Sequence, residues 1–165
     1  AIMANQAMNY LATGTAPSRM GNAHPNLVPY AVFDCADGWI IIATGNDGQY
    51  RRLCEVLGLP ALATAPDYAT NADRIQNREA LTAALQAVTR AWSRDDLLAA
   101  LEAQGVPAGP INDMADVFAD PQVIARGLKI MPDGVPGVRL PVTFSEAVLA
   151  TDRPSPRLGQ DDPNG

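Results

Sequence analysis

Basic side chains, aromatic rings and cysteines are all scarce in this sequence, and each scarcity removes a class of function. Twelve Lys and Arg stand against 18 Asp and Glu, a formal net charge of -6 over 165 residues. Nucleic acid and anionic membrane surfaces need clustered Lys and Arg, so neither is an expected partner. The two cysteines, Cys35 and Cys54, read as strand edge and helix. They make no disulfide framework and no metal spacing, and a reducing, cytoplasmic setting is the default. The first ten residues have neither a positive nor an apolar segment and do not read as a signal peptide. No apolar run approaches the roughly 20 residues of a membrane helix.

Apolar residues are plentiful, at 47%, with only 18% charged. The count leans on alanine, and aromatics are 5%, so the core should be modest for its length and would gain from packing against something else. Met3, Ala7, Tyr10 and Leu11 fall at helical spacing with no capping residue before them, which is the pattern expected of a chain cut at Ala1. Gly14 to Pro29 carries too many breakers for regular structure. Tyr30 to Asp34 and Trp39 to Thr44 flank Ala36-Asp37-Gly38, a β-hairpin signal. A helix follows with Tyr50, Leu53, Cys54 and Leu57 on one face and Gly58 as its stop.

Thr64 to Thr70 reads as a loop. Asn71 or Asp73 can then cap one long helix with Leu81, Leu85, Val88 and Trp92 as its stripe. Ser93-Arg94-Asp95-Asp96 resembles a capping box and opens a helix with Leu97, Leu98 and Leu101 inward, ended by Gly105. Val106 to Ile111, interrupted by Pro107 and Pro110, is at best an edge strand. Short helical segments are expected at Asp113 to Phe118 and Pro121 to Ala125, and a hairpin pairs Leu128 to Met131 with Val138 to Val142. From Thr151 to Gly165 the chain turns polar and Pro-rich. The class is α+β: short antiparallel hairpins with several helices between them.

Few residues here could carry chemistry. His24 is the lone histidine, with no nucleophile or carboxylate beside it in sequence. A loop histidine that orders a proline-rich turn is favoured over a catalytic one. Gly45-Asn46-Asp47-Gly48-Gln49 lies between strand and helix, where glycines admit a ligand to backbone amides. It lacks the lysine of a P-loop and the third glycine of a dinucleotide fingerprint, so a tight strand-to-helix turn is the favoured reading of these residues taken alone. Arg51 and Arg52 read as surface arginines. Asp95 and Asp96 read as first-turn residues that favour the helix dipole.

Taken in order, several segments resemble class III CoA-transferases. They are Arg19-Met20-Gly21-Asn22-Ala23-His24-Pro25 continuing to Val28-Pro29-Tyr30, and Asp37-Gly38-Trp39-Ile40-Ile41-Ile42-Ala43 running into Gly45 to Tyr50. Thr70-Asn71-Ala72 with Arg74, then Asn77-Arg78, comes next. Gly105-Val106-Pro107-Ala108-Gly109-Pro110-Ile111-Asn112 is the most specific. Asp120-Pro121-Gln122-Val123 with Arg126-Gly127, and Leu158-Gly159-Gln160, complete the series.

The family includes formyl-CoA transferase, carnitine CoA-transferase, succinyl-CoA:dicarboxylate CoA-transferases and methylacyl-CoA racemase. The resemblance implies a small domain at 29-145, a helix and linker at 1-28 and a C-terminal linker at 146-165, with a large doubly wound domain missing. It implies a substrate acyl-CoA thioester, no metal, a carboxylate acceptor, and a full-length protein that forms an interlocked homodimer. An aspartate of the large domain would attack the thioester, giving a mixed anhydride and then an enzyme-bound CoA thioester, so no catalytic residue is expected in this chain. The loop Gly45, Asn46, Asp47, Gly48 and Gln49 would touch substrate, and His24 would order the junction or reach the cleft. Asn46 and Asp47 stand where formyl-CoA transferase has glycines, which makes the loop more like relatives acting on larger dicarboxylates. A stand-alone module binding acyl-CoA or a partner chain, and the racemase branch, remain alternatives.

Overall fold

The computed structural model describes residues 3–160, so the expected cut at Ala1 and the acidic end from Asp161 to Gly165 lie outside the described residues. The chain divides into two compact units, Ala1–Ile111 and Asn112–Gly165.

In the first unit, α1 (Ala4–Thr13) starts after Met3 with no side-chain cap and ends at Gly14 in the left-handed region. Strands β1 (Tyr30–Cys35) and β2 (Gly38–Ala43) pair antiparallel, with Cys35 opposite Gly38. The turn is therefore Ala36-Asp37, and Gly38 already belongs to the strand, one residue off the expected Asp-Gly centre. Strand β3 (Ala108–Ile111) joins β2 alone as an edge, the position that tolerates Pro110. The register aligns Phe33 with Ile40 and places Ile42 on the same face, all fully buried.

Helices cover that face. Helix α2 (Asp47–Val56) buries Tyr50, Leu53 and Cys54, and Gly58 follows at positive φ. The expected loop from Thr64 to Thr70 is more ordered than its sequence suggests. It contains the end of a short α3 (Pro60–Thr64), started by its proline, and a 3-10 turn at Pro66–Tyr68. The expected single long helix is two: α4 (Asn71–Gln76) and α5 (Arg78–Thr89), broken at Asn77. Thr70 is the cap, in a reciprocal box with Asp73. Asn71 instead reaches out to the chain at Asn26 and Val28, and the Asn77 amide donates to the Asp67 and Asp73 carbonyls. Leu81 and Leu85 are buried as expected, whereas Val88 and Trp92 only pack against the core's rim. Helix α6 (Arg94–Ala103) is capped by Ser93 and buries Leu97 and Leu101.

The second unit holds α7 (Met114–Ala119), boxed by Asp113 and Asp116, and α8 (Pro121–Ala125), capped by Asp120. Its hairpin is shorter than expected: β4 (Lys129–Ile130) pairs only with β5 (Gly137–Val138). Pro141 lies inside the run expected to continue the strand and has no N–H for a ladder. No described residue of this unit is buried.

Candidate functional site

The five residues Gly45 to Gln49 close on themselves. Asn46, extended at φ -157, accepts from the Gln49 N–H at 2.9 Å through its side chain. The Gln49 side chain turns back and accepts from the Gly45 N–H at 2.6 Å. This is the logic of a capping box shifted by one residue. Asp47, Gly48 and Gln49 are thus the first turn of α2, and the expected loop is shorter than its sequence implied. A Cβ on Gly48 would sit 3.3 Å from the Asn46 side-chain oxygen, so a larger residue there presses on the cap. The N–H groups of Asp47 and Gly48, first in the helix, have no intrahelical acceptor.

Asp47, partly exposed, turns one carboxylate oxygen toward a buried partner. Its Oδ1 accepts from Arg74 Nη2 at 2.8 Å, and the Arg74 side chain is only 1% exposed. The same guanidinium donates from Nε to the Val28 carbonyl at 2.7 Å and from Nη1 to the Tyr68 carbonyl at 3.0 Å. It lies 4.4 Å from the centre of the Tyr50 ring. A cation can persist in a core only with such partners, because burial removes its hydration. Tyr50 donates to the Leu62 carbonyl, and its phenol is pushed far up, first by burial and then by a hydrogen bond with Cys54. Burial likewise pushes the Cys54 thiol up, and Cys35, raised by burial and by Asp37 and Asp34, shifts in the same direction. Neither thiol is an activated nucleophile.

His24 sits in the junction before β1. Its Nδ1 accepts from the Asn26 N–H at 3.1 Å, and its ring stacks on Tyr30 at 5.1 Å. Arg78 donates to the carbonyls of His24 and Pro25 at 2.9 and 2.8 Å, and burial pushes its guanidinium pKa down. Asn71 clamps the Val28 N–H and the Asn26 carbonyl, and Thr44 donates twice to the Pro29 carbonyl. Junction and strand-to-helix turn therefore meet through Arg74 and Thr44, while no described hydrogen bond joins His24 to Gly45–Gln49.

Arg51 is exposed, and Arg52 reaches the Gly105 carbonyl at 3.5 Å. Asp96 completes the Ser93 cap and Asp95 is open to solvent. Among the described residues, no group of three or more His, Cys, Asp or Glu is placed to hold a metal ion. None of their helices is long and apolar enough to cross a membrane. The roles of Arg74 and Arg78 escape a reading of the sequence. One signal was available: Arg74, Leu81 and Leu85 are seven and four residues apart, which puts an arginine in line with a buried stripe.

The chain resembles known proteins along nearly its whole length. The model of CoA-transferase family III matches residues 1–162. The chain is 50% identical over 165 residues to the succinate–glutarate CoA-transferase of Agrobacterium fabrum, covering 97% of the chain and 41% of that protein. It is 37% identical to the acetyl-CoA:oxalate CoA-transferase of Acetobacter aceti, again over 97% of the chain and 41% of the relative. A crystal structure of a CAIB/BAIF family protein from Brucella suis superposes with a TM-score of 0.85 at 58% identity, covering 96% of the chain and 42% of that structure. The chain thus spans about two fifths of the length of these relatives.

Proposed function

The chain belongs to CoA-transferase family III, and from that premise we propose that the full-length protein moves CoA from an acyl-CoA thioester to a dicarboxylic acid, with succinate and glutarate as the acid pair. The observation that carries the acid pair is the 50% identity to a succinate–glutarate enzyme, against 37% to one named for oxalate. The side chains Asn46 and Asp47, in place of a run of glycines, agree with it.

On this reading residues 29-145 are a small domain, 1-28 and 146-165 are connecting segments, and the full-length protein is a cytoplasmic, interlocked homodimer. Gly45, Asn46, Asp47, Gly48 and Gln49 face substrate, and His24 orders the junction. The nucleophile is an aspartate outside this chain. It attacks the thioester carbonyl, and CoA thiolate leaves a mixed anhydride. The thiolate then attacks the aspartyl carbonyl, releasing the first acid and leaving an aspartyl-CoA thioester, from which the second acid takes CoA by the same two steps in reverse. A carboxylate is a weak nucleophile in water, so the site must shed solvent around it.

Several aspartates seen here have other employment, which agrees with a nucleophile elsewhere. Asp34 pairs with Arg90 and Asp47 with Arg74, Asp113 and Asp120 cap helices, and Asp73 and Asp96 accept from the capping hydroxyls of Thr70 and Ser93. The test is to incubate full-length protein with succinyl-CoA and glutarate and follow glutaryl-CoA by chromatography. Glutaryl-CoA is expected from the full-length protein and none from residues 1–165 alone. Its absence from the full-length reaction would overturn the acid pair, and turnover by residues 1–165 alone would overturn the placement of the nucleophile.

A further inference from the structure

We infer that Arg74 is the positioning residue of the Gly45–Gln49 segment, fixing the first turn of α2 against the junction loop by holding Asp47 and the Val28 carbonyl in one guanidinium plane. This rests on the reading of Gly45–Gln49 as substrate-facing.

Three observations converge on Arg74. Its bonds run to three separate stretches of chain: Val28 in the junction, Tyr68 before α4, and Asp47 in the segment itself. The Tyr50 ring, one turn further along α2, packs against the guanidinium, so the same helix is gripped at two points. The geometry is a rigid planar fork with every nitrogen engaged, which a lysine cannot reproduce. Arg74 also settles where the Asp47 charge goes. With Oδ1 turned toward the guanidinium, the partly exposed carboxylate is held by a buried cation. Arg74 therefore acts through Asp47 and does not itself touch substrate.

The experiment uses full-length protein with succinyl-CoA and glutarate, in four variants: Arg74→Lys, Asp47→Asn, Asp47→Glu and Gln49→Ala. Arg74→Lys and Asp47→Asn should each raise KM for glutarate about tenfold while kcat stays within about threefold, and combining them should add little. Asp47→Glu, which keeps the pair, should recover most of the loss. A purely structural role would lower the active fraction, hence kcat, with KM unchanged. Unchanged KM in Arg74→Lys and Asp47→Asn, with KM raised by Gln49→Ala, would overturn the positioning role and leave the segment's role standing. Unchanged KM in Gln49→Ala as well would overturn the segment's role itself.

Amide hydrogen exchange gives a readout that needs no turnover. Faster exchange at 45–49 and at 26–28 in Arg74→Lys is expected, and wild-type protection there would overturn the inference. Should Arg74→Lys fail to fold, Asp47→Asn against Asp47→Glu carries both measurements, since Asp47 is partly solvent-exposed.

Discussion

Helices on either side of residue 111 start with the same devices. Thr70 and Ser93 cap α4 and α6, and Asp113 and Asp120 cap α7 and α8, each side chain accepting from an N–H in the first turn. The packing beyond the caps differs. Every buried hydrophobic side chain of the described residues lies between Val28 and Val106. After residue 111, Met114, Ile124, Val138, Leu140 and Phe144 are all more than half exposed. Helices of six and five residues present barely one turn of stripe, and a two-residue ladder cannot close over them. Capping can thus write local structure without a core, whereas the segment proposed to meet substrate is attached to the part that has one.

Core truncations should separate the two regions most widely. Phe33→Ala should cost about 3–5 kcal/mol and Leu85→Ala about 2–5 kcal/mol in denaturant unfolding. Phe144→Ala should fall within about 0.5 kcal/mol. A cost at Phe144 equal to that at Phe33 would erase the distinction.

The buried arginine gives the next largest effect. Asp47→Asn leaves the Arg74 cation without its carboxylate and should cost toward the low end of the roughly 3–5 kcal/mol seen for broken buried pairs, because Asp47 is partly solvated. The same denaturant unfolding reads it.

Caps give a smaller and more discriminating effect. Thr70→Ala should lower global stability by about 1 kcal/mol. Asp113→Ala should lose a similar amount locally, visible as faster amide exchange in α7, without moving the global midpoint.

The smallest effect is acidic. The Thr70 hydroxyl, then its N–H, hold the Asp73 carboxyl below the ordinary aspartate range. A depressed folded-state value contributes stability that is present above the unfolded pKa and lost as pH falls through the folded one. Asp73→Asn should therefore flatten the acid limb of the stability curve, with little change in its shape near neutrality.

The turn between β1 and β2, the edge character of β3 and the Ser93 cap were all legible from local chemistry, since each depends on residues within a few positions. Two features escaped for the same physical reason. The break at Asn77 and the burial of Arg74 depend on partners beyond the local turn: the Asp67 carbonyl, ten residues back, for one, and Val28 and Asp47 for the other. An arginine in a helical stripe reads as solvent-facing until a counter-charge is seen to reach it. The Gly45–Gln49 segment is singled out by its glycines and by resemblance. A tight strand-to-helix turn is the favoured local reading, and the Asn46 and Gln49 side chains fold the segment into such a helix start, a detail its glycines do not indicate.

That this chain holds substrate without supplying the nucleophile is tested most directly by mapping the enzyme-bound thioester. Full-length protein would be charged with succinyl-CoA, quenched with hydroxylamine, and its hydroxamate located by peptide mass spectrometry. The expected position is an aspartate outside residues 1–165. A hydroxamate on Asp47, or on any other aspartate of this chain, would contradict it.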